Sequence, residues 1–351
     1  MRNLIYSACG IPVFQNVIYE TSSQARSATI ADVQLVQCTQ TGLVYNQCFD
    51  PALVEYNEHY QNEQAYSPAF KDHLENVLQI TQSHFRLPMQ GVEIGCGKGH
   101  FLELARSAGL RMTGYDPAYQ GTSENVVTEY YNFGASQVSA DYFVMRHVLE
   151  HIPEPWQFLG ELSMSAKQDA LIYIEVPAFE WIVEHRAYYD IFYEHCNYFT
   201  LEALRSVFGS VIESGYCFGD QYLYVVAPLS SFQKDARFDG RLFKELDFSL
   251  DIESMVSTLR RTEDNYIWGA GAKGVTMSNL LVEQGVEIRA LIDINPFKQG
   301  RYTAKSAIPI VSPDDALPNI QNANVLIMNP NYASEISEQL KDTDANKLVV
   351  T

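Results

Sequence analysis

Two segments of this chain share one local plan, in which a short apolar strand runs into a glycine-rich loop and then into a helix. The first begins at residue 91 and the second at residue 266. Further apolar strand patterns follow each of them and alternate with helical patterns. Such alternation is typical of parallel sheets that carry helices on both faces. The sequence therefore predicts an α/β protein with two Rossmann-like units.

The length of 351 residues fits two or three domains better than one core. We expect a small β-rich module over residues 1–66, where ADVQLVQC alternates like a half-buried strand. The two Rossmann-like units are expected at residues 67–228 and 265–351. Residues 229–264 are polar with a helical pattern, which predicts a helical connector on the surface.

The first glycine loop has the pattern E-x-G-x-G-x-G at residues 93–99. Glycines let the backbone approach a ligand closely, and the helix that follows presents free N–H groups at its start. The second strand ends in Asp116, whose carboxylate can accept hydrogen bonds from both hydroxyls of a ribose. The predicted cofactor-binding residues here are Glu93, Gly95, Cys96, Gly97, Gly99 and Asp116.

This loop resembles motif I of class I S-adenosylmethionine-dependent methyltransferases more than the dinucleotide pattern G-x-G-x-x-G. The third strand then runs into R-H-V-L-E-H-I-P at residues 146–153, which is similar to a segment bordering the methionine end of the cofactor in that superfamily. Arg146 and His147 therefore join the predicted cofactor site. The resemblance implies S-adenosyl-L-methionine as cofactor and a methyltransferase that accelerates transfer largely by positioning its reactants.

A second candidate site follows the fourth strand, at residues 190–200, where Tyr, Glu and His stand side by side among aromatic residues. Loops at the carboxyl ends of parallel strands line the ligand crevice of this fold. A histidine with a near-neutral pKa can act there as a base. The other interpretation is a packed aromatic segment that contains one buried histidine.

The order of a cysteine module, motif I, Y-E-H-x-x-Y-F-T and G-A-x-A-K-G resembles the three-domain sugar C-methyltransferase family. Its members methylate a carbon of a nucleotide-linked keto-sugar. The resemblance implies that Tyr193, Glu194 and His195 remove a proton beside the ketone, with His195 as general base. It also implies that a tyrosine of the N-terminal segment reaches the sugar, and we favour Tyr60 over Tyr66. O- or N-methylation of another small metabolite remains an alternative.

The N-terminal module departs from this family, in which two C-x-x-C pairs usually bind zinc. Cys9 and Cys38 match one cysteine of each pair, but their expected partners are Tyr6 and Thr41. Cys48 has the wrong spacing for a third ligand. Two thiolates are too few for a closed tetrahedral site, so the sequence predicts no zinc. The departure also leaves room for a different acceptor.

The second glycine loop has the pattern G-x-G-x-x-G at residues 269–274, and Asp293 ends the next strand. Taken alone, it is typical of NAD binding, which makes an oxidoreductase or a non-catalytic cofactor-binding protein the rival hypothesis. Purely structural glycines are a further interpretation. No acid–base set for hydride transfer accompanies the loop, and the family resemblance implies a vestigial domain that grips the acceptor's pyrophosphate. The predicted substrate-binding residues are Tyr198, Gly271, Lys273 and Asn329.

The charge and the apolar content of the chain indicate which classes of binding partner are to be expected. The chain carries 43 acidic and 24 basic residues, a formal charge of −19, which argues against a nucleic-acid substrate. No apolar run approaches the roughly 20 residues of a membrane span, and the N-terminus has no signal-peptide pattern. We therefore expect a cytoplasmic enzyme whose partner is a small-molecule acceptor, with a nucleotide-sugar favoured.

Overall fold

The computed structural model describes residues 2–55, 60–85, 88–133, 140–260 and 264–350. These residues form a four-stranded, a seven-stranded and a five-stranded sheet. The architecture is α/β, as the sequence predicts. In the described part of the chain, no helix combines the length and apolar character that a membrane crossing requires.

The smallest sheet belongs to the N-terminal module. Its elements are β1 (Arg2–Pro12), α1 (Ser22–Arg26), β2 (Ile30–Cys38) and β3 (Val44–Asn46). The three strands pair antiparallel in sequence order. The fourth strand of this sheet, Asn197–Tyr198, comes from the second domain and pairs antiparallel with β3. The module is therefore completed by the segment that carries the Y-E-H residues.

The seven-stranded sheet forms the second domain. In chain order its elements are α2 (Pro68–His84), β4 (Gln90–Ile94), α3 (His100–Ser107), β5 (Arg111–Tyr115), β6 (Val126–Val127), β7 (Tyr142–Arg146), α4 (Pro155–Ser165), β8 (Leu171–Pro177), α5 (Phe179–Glu184), β9 (Asn197–Tyr198), α6 (Leu201–Ser206), β10 (Glu213–Cys217) and β11 (Tyr222–Pro228). The parallel strands lie in the order β6-β5-β4-β7-β8, and β11 and β10 continue the sheet antiparallel. β9 belongs to the N-terminal sheet.

The predicted helical connector differs from the structure. Only its last part is an α-helix, α7 (Ser249–Leu259), and residues 232–248 lack helical structure. This stretch packs on the N-terminal module, where the N–H of Leu246 donates to the carbonyl of Ile5 at 2.7 Å. Phe243 and Phe248 are buried, and burial of such large apolar rings outweighs the polar pattern around them. Residues 261–263 of the predicted connector lie outside the described residues.

The five-stranded sheet forms the C-terminal domain. Its elements are β12 (Asn265–Trp268), α8 (Ala272–Glu283), β13 (Ala290–Ile292), β14 (Ile310–Val311), α9 (Pro313–Ala316), β15 (Asn324–Ile327), α10 (Ala333–Gln339) and β16 (Asn346–Val349). All of its strands are parallel, in the order β14-β13-β12-β15-β16. Counted from the first strand of each unit, both Rossmann-like sheets therefore have the strand order 3-2-1-4-5. Ligands of such sheets bind where the strand order reverses, which is between β4 and β7 and between β12 and β15.

Candidate cofactor and acceptor sites

The first glycine loop lies at the carboxyl end of β4, against the segment that follows β7. Gly95 has a φ of 72°, in the left-handed region that favours glycine. A Cβ at Gly95 would lie 2.3 Å from Cγ2 of Val148, so only glycine allows this approach. The loop and the R-H-V-L-E-H segment therefore meet at the strand-order reversal of the second domain.

Asp116 follows β5 and faces the same loop. One carboxylate oxygen accepts from the N–H of Gly97 at 2.8 Å, and the other from the N–H of Ala118 at 2.9 Å. Burial raises the pKa of Asp116 above its usual value. The acidic group and the glycine amides thus lie at one edge of the sheet, an arrangement that fits a ribose together with the polar end of a nucleoside cofactor.

Glu93 and Cys96 lie deeper than the loop backbone. The side chain of Glu93 is buried and Oε2 has no hydrogen-bond partner among the described residues. Burial raises the pKa of Glu93 to about 8, so this carboxyl is largely protonated at neutral pH. The thiol of Cys96 packs toward Gly114 of β5, where a Cβ would lie 2.7 Å from its sulfur.

A buried carboxylate that the sequence analysis missed, Glu175 of β8, organises the other side of the cofactor loop. Its oxygens lie 3.2 Å from Nη2 of Arg146, 3.1 Å from Nε2 of His147 and 3.1 Å from Nε2 of His73. Burial alone would raise the pKa of Glu175, but the charge of Arg146 and the hydrogen bonds of the two histidines hold it well below its usual range. A glutamate inside the apolar strand LIYIEVP was the available signal, because an ionisable residue is rarely buried without partners.

Arg146 and His147 both contact Glu175, but only His147 lines the acceptor cavity that is described next. Arg146 lies over the ring of Phe101, with its guanidinium carbon 5.2 Å from the ring centroid, and it is outside the acceptor cavity described next. His147 lines that cavity and has a φ of 54°, an unusual left-handed backbone for a non-glycine residue. Its Nδ1 lies 3.5 Å from Oε1 of Glu150.

A large cavity lies between the three domains, with about 1300 Å³ of empty space that includes open solvent. The N-terminal module and the segment after it contribute Asn16, Tyr60 and Tyr66. The second domain contributes His147, Glu150, His151, Glu194 and His195. The C-terminal domain contributes residues that include Gly269, Gly271, Lys273, Asp293, Lys298 and Asn329. The cavity connects the segment after β7 with the second glycine loop.

The structure brings two of the three Y-E-H residues into the cavity and excludes the third. The hydroxyl of Tyr193 accepts from the N–H of Asp50 at 2.7 Å and donates to the carbonyl of Cys48 at 3.4 Å. Its ring stacks on Phe49, and Tyr193 is not among the residues that line the cavity. Tyr193 thereby connects the N-terminal module to the second domain, and its catalytic role stays a prediction.

Tyr198 is also outside the cavity, and its role in substrate binding stays a prediction. Its hydroxyl accepts from the N–H of Phe192 at 3.0 Å and donates to the carbonyl of the same residue at 2.9 Å. The side chain is buried, so both hydrogen bonds serve the turn that carries the cavity residues. Both tyrosines thus have the packed surroundings that the aromatic interpretation of this segment describes.

Glu194 and His195 face the cavity with different surroundings. Oε2 of Glu194 accepts from the hydroxyl of Tyr60 at 2.7 Å, so the structure brings these two predicted residues together. Burial raises the pKa of Glu194. His195 packs against Phe192, and its ring nitrogens have no hydrogen bond to the described residues. Burial, with the charges of nearby histidines and Lys273, holds the pKa of His195 well below its usual range.

The second glycine loop repeats the local arrangement of the first. Asp293 accepts from the N–H of Ala270 at 2.8 Å and from the N–H of Asn295 at 2.8 Å, as Asp116 does in the second domain. A Cβ at Gly274 would lie 1.8 Å from the carbonyl oxygen of Gly269, so this position requires glycine for packing. Gly271, Gly274 and Asp293 all line the cavity. Gly274 therefore both packs against Gly269 and borders the cavity.

Lys273 and Asn329 border the cavity but are already bound within the protein. Nζ of Lys273 lies 2.9 Å from Oδ2 of Asp190 and 2.9 Å from Oε1 of Gln221. The side-chain amides of Gln221 and Asn329 exchange two hydrogen bonds, of 2.8 and 3.1 Å. These contacts join the C-terminal domain to the second domain. Sequence reasoning missed Lys298, a buried cavity residue that donates to the carbonyl of Ala270 at 2.9 Å.

The two cysteines that match the zinc-binding pattern lie far apart. Cys38, at the end of β2, is paired with Arg2 of β1, seven positions (9 − 2) before Cys9. A strand of that length spans roughly 20 Å, so Cys9 and Cys38 cannot bind one ion together. Cys9 lies in β1 and Cys38 in β2, and the hydrogen bonds between these two strands fix the separation of the cysteines.

Comparisons with known proteins place both Rossmann-like units in methyltransferase families. Residues 57–211 match the family described as methyltransferase domain, and residues 247–350 match the C-methyltransferase C-terminal domain. The chain is 28% identical to C-methyltransferase NovU of Streptomyces niveus, over 72% of this chain and 69% of the relative.

Parts of the chain are also similar to solved structures, two of which are described next. One is 1,6-didemethyltoxoflavin-N1-methyltransferase of Burkholderia thailandensis, with 16% identity, a TM-score of 0.35 and coverage of 46% of this chain and 80% of that one. Another is a SAM-dependent methyltransferase from Aquifex aeolicus, with 16% identity, a TM-score of 0.35 and coverage of 46% and 94%. The two family matches and the NovU relative, rather than these distant structures, support a class I S-adenosylmethionine-dependent C-methyltransferase.

Proposed function

We propose that this enzyme methylates a carbon beside the ketone of a nucleotide-linked keto-sugar, with His195 as general base. The observation that carries the proposal is His195, a histidine that makes no hydrogen bond to any residue that the structure describes. It lies in the wall of a cavity that reaches both the segment after β7 and the second glycine loop. An acceptor in this cavity would meet the base and the cofactor side of the second domain together.

The electrostatics of His195 suit proton removal. Because its pKa lies well below 6.5, the imidazole is neutral at pH 7 and keeps a lone pair that can accept a proton. S-adenosylmethionine supplies an electrophilic methyl group on its sulfonium. A C–H beside a ketone becomes acidic when nearby donors stabilise the developing enolate oxygen. His195 would take that proton, and the cavity walls would hold the carbon in line for transfer.

The nucleotide part of the acceptor is assigned to the second glycine loop. This loop lies at the strand-order reversal of the C-terminal sheet, and Gly271 and Asp293 line the same cavity as His195. The N–H groups at the start of α8 suit a diphosphate. Lys273 would contribute only its nearby charge, because Asp190 and Gln221 already hold its ammonium group.

The decisive experiment separates proton removal from methyl transfer. Keto-sugars linked to UDP, dTDP or GDP would be incubated in D₂O with the enzyme and S-adenosylhomocysteine, which cannot donate a methyl group. Wild-type enzyme should exchange the proton beside the ketone. His195→Gln should lose at least about 100-fold of that exchange and of turnover while its affinity for S-adenosylmethionine is retained, since general base catalysis contributes about 10²–10⁴-fold.

His185→Gln is the matched control, because His185 stacks on Trp181 and does not line the cavity. It should keep both exchange and turnover. Full exchange by His195→Gln would remove His195 as the base. NMR of the product then decides the reaction class, because a methyl group on oxygen instead of carbon would contradict C-methylation.

A further inference from the structure

Glu150 is a buried acid of the cavity wall to which neither the sequence nor the comparisons assign a role. It lies in the short turn Leu149–His151 after β7, and it is 1% exposed. Neither of its carboxylate oxygens has a hydrogen-bond partner among the described residues. The same residue lines the acceptor cavity. A buried carboxylate without donors is unusual, because carboxylates in protein interiors are normally hydrogen-bonded.

Charge compensation is already present around Glu150. Nδ1 of His147 lies 3.5 Å from Oε1 of Glu150, while Nε2 of His147 lies 3.1 Å from Glu175. An imidazole that faces a carboxylate with each nitrogen is favoured in its doubly protonated form. Arg146 provides the second positive charge beside Glu175. Glu150 therefore already has a positive neighbour in His147, whereas both of its oxygens lack a hydrogen-bond partner among the described residues.

Neutral hydroxyl groups are the donors that fit this requirement. A carboxylate has two oxygens and can accept from two neighbouring hydroxyls, as acidic residues do from ribose in dinucleotide folds. A second buried acceptor lines the same cavity, because Oδ1 of Asn16 has no hydrogen-bond partner among the described residues either. A ligand with several hydroxyl groups could donate hydrogen bonds to both Glu150 and Asn16.

A metal ion fits less well. Donor atoms of Glu150, His151 and His195 lie within 4.8 Å of one another. However, the two imidazole rings contact each other edge to face, with centroids 4.8 Å apart and planes at 80°. Nδ1 of His151 donates to the carbonyl of Glu194 at 2.9 Å, which fixes that ring within the protein. This packing favours histidines that line a pocket over ligands that converge on one ion.

We propose that Glu150 is the subsite for ring hydroxyls of the acceptor, next to the carbon that His195 deprotonates. The inference rests on the proposed function only in placing the acceptor in this cavity. It makes Glu150 a specificity-determining residue that selects hydroxylated acceptors over deoxy or apolar ones.

The test compares matched ligands on matched variants. The probes are UDP-, dTDP- and GDP-linked 4-keto-hexoses and their counterparts in which one ring hydroxyl is replaced by hydrogen. Wild-type enzyme should bind one hydroxylated probe about 10- to 100-fold more tightly than its deoxy counterpart. The free energy of a hydrogen bond to a charged group corresponds to an affinity ratio of this size. Glu150→Gln should reduce the ratio to about threefold or less.

Glu154→Gln is the control, since Glu154 lies four residues further on and is exposed. It should keep the wild-type ratio, and the thermal unfolding midpoints of both variants would show that each is folded. A ratio that survives in Glu150→Gln, or a wild-type enzyme that does not discriminate, would overturn the proposal. So would calorimetric binding of Mg²⁺, Mn²⁺ or Zn²⁺ that Glu150→Gln abolishes. Loss of activity in His195→Gln leaves these ratios interpretable, because they are measured by binding.

Discussion

At the residue scale, a line of ionisable side chains joins the cofactor loop to the acceptor cavity. Arg146 and His147 are consecutive, and both contact Glu175 inside the sheet. His147 then contacts Glu150 in the cavity wall. The charge of Arg146 lowers the pKa of Glu93 and so partly offsets the effect of burial. Breaking a buried pair leaves an uncompensated charge, which is strongly destabilising. The residues of this line therefore hold one another in a fixed geometry and charge state.

His147 should make stability fall as the pH rises. Burial lowers the pKa of His147, but its contacts with Glu150 and Glu175 outweigh that effect and raise it to about 9. The folded-state pKa exceeds the unfolded value near 6.5, so the stabilisation is complete below pH 6.5 and is lost as the pH rises to about 9. Up to about 3 kcal/mol of unfolding free energy is involved.

The measurement is the thermal unfolding midpoint of wild-type enzyme and His147→Gln between pH 6 and pH 9.5. The difference between the two proteins should shrink across this range, because the variant has no imidazole to lose its proton. His84→Gln is a suitable control, as His84 pairs with Glu213 nearer the surface, away from Glu150 and Glu175. Parallel curves for wild type and His147→Gln would contradict the prediction.

The sequence predicts residues of this kind only where they lie in a local motif. The glycine loop, Asp116 and the R-H-V-L-E-H segment have fixed spacings, and the structure brings them to one edge of the sheet. Glu175 has no such spacing, because its partner His73 is 102 positions away in the chain. Tyr193 and His195 are close in the chain but face different sides of the segment. Only the packing of the aromatic rings decides which of them reaches the cavity.

At the element scale, the two Rossmann-like units repeat one construction. Each has the strand order 3-2-1-4-5, and each has an aspartate after its second strand that accepts from the N–H of a glycine-loop residue. Strand and helix patterns predict the alternation of strands and helices in each unit, since apolar periodicity is local. They do not predict the order of the strands in each sheet. They do not predict that β9 joins the N-terminal sheet, because a two-residue strand has no periodicity to detect.

Tyr193→Phe tests the role of the segment around β9. The change removes the hydrogen bond from the N–H of Asp50 and leaves the ring on Phe49, so it should lower the free energy of unfolding by about 1–2 kcal/mol. Because Tyr193 is outside the cavity, kcat/KM should stay within about twofold of wild type. Tyr60→Phe is the comparison, since the Tyr60 hydroxyl contacts Glu194 in the cavity and its loss should affect activity more than stability. Lost turnover with unchanged stability in Tyr193→Phe would instead support the catalytic role.

At the scale of the whole molecule, the acceptor cavity exists because three domains pack around it. One continuous apolar cluster includes Val33 of the N-terminal module, Phe179 of the second domain and Val275 of the C-terminal domain. Polar contacts add to it, such as the ion pair of Lys273 with Asp190. Sequence patterns define each unit but not the faces that meet, because these faces are formed by residues from distant parts of the chain.

Glu335→Ala should loosen the docking of the C-terminal domain on the second domain. Oε2 of Glu335, in α10, accepts from the hydroxyl of Ser67 at 3.0 Å and lies 3.5 Å from the N–H of Ala69, at the start of α2. The carboxylate thereby binds N–H and hydroxyl donors at a helix N-terminus, a contact worth about 1 kcal/mol. Losing it should raise the KM for the acceptor roughly fivefold and leave the affinity for S-adenosylmethionine unchanged.

Hydrogen exchange supplies the second readout, because the first turn of α2 and helix α10 should lose protection together if they dock as one unit. Glu338→Ala is the control on the same helix, since Glu338 is exposed and its ion pair is with Lys341 of the same domain. Glu335 also lines the cavity, so a raised KM alone is ambiguous. A raised KM with unchanged exchange in α2 would mean that Glu335 acts directly on the acceptor. Faster exchange at both helices would show that domain docking forms the acceptor site.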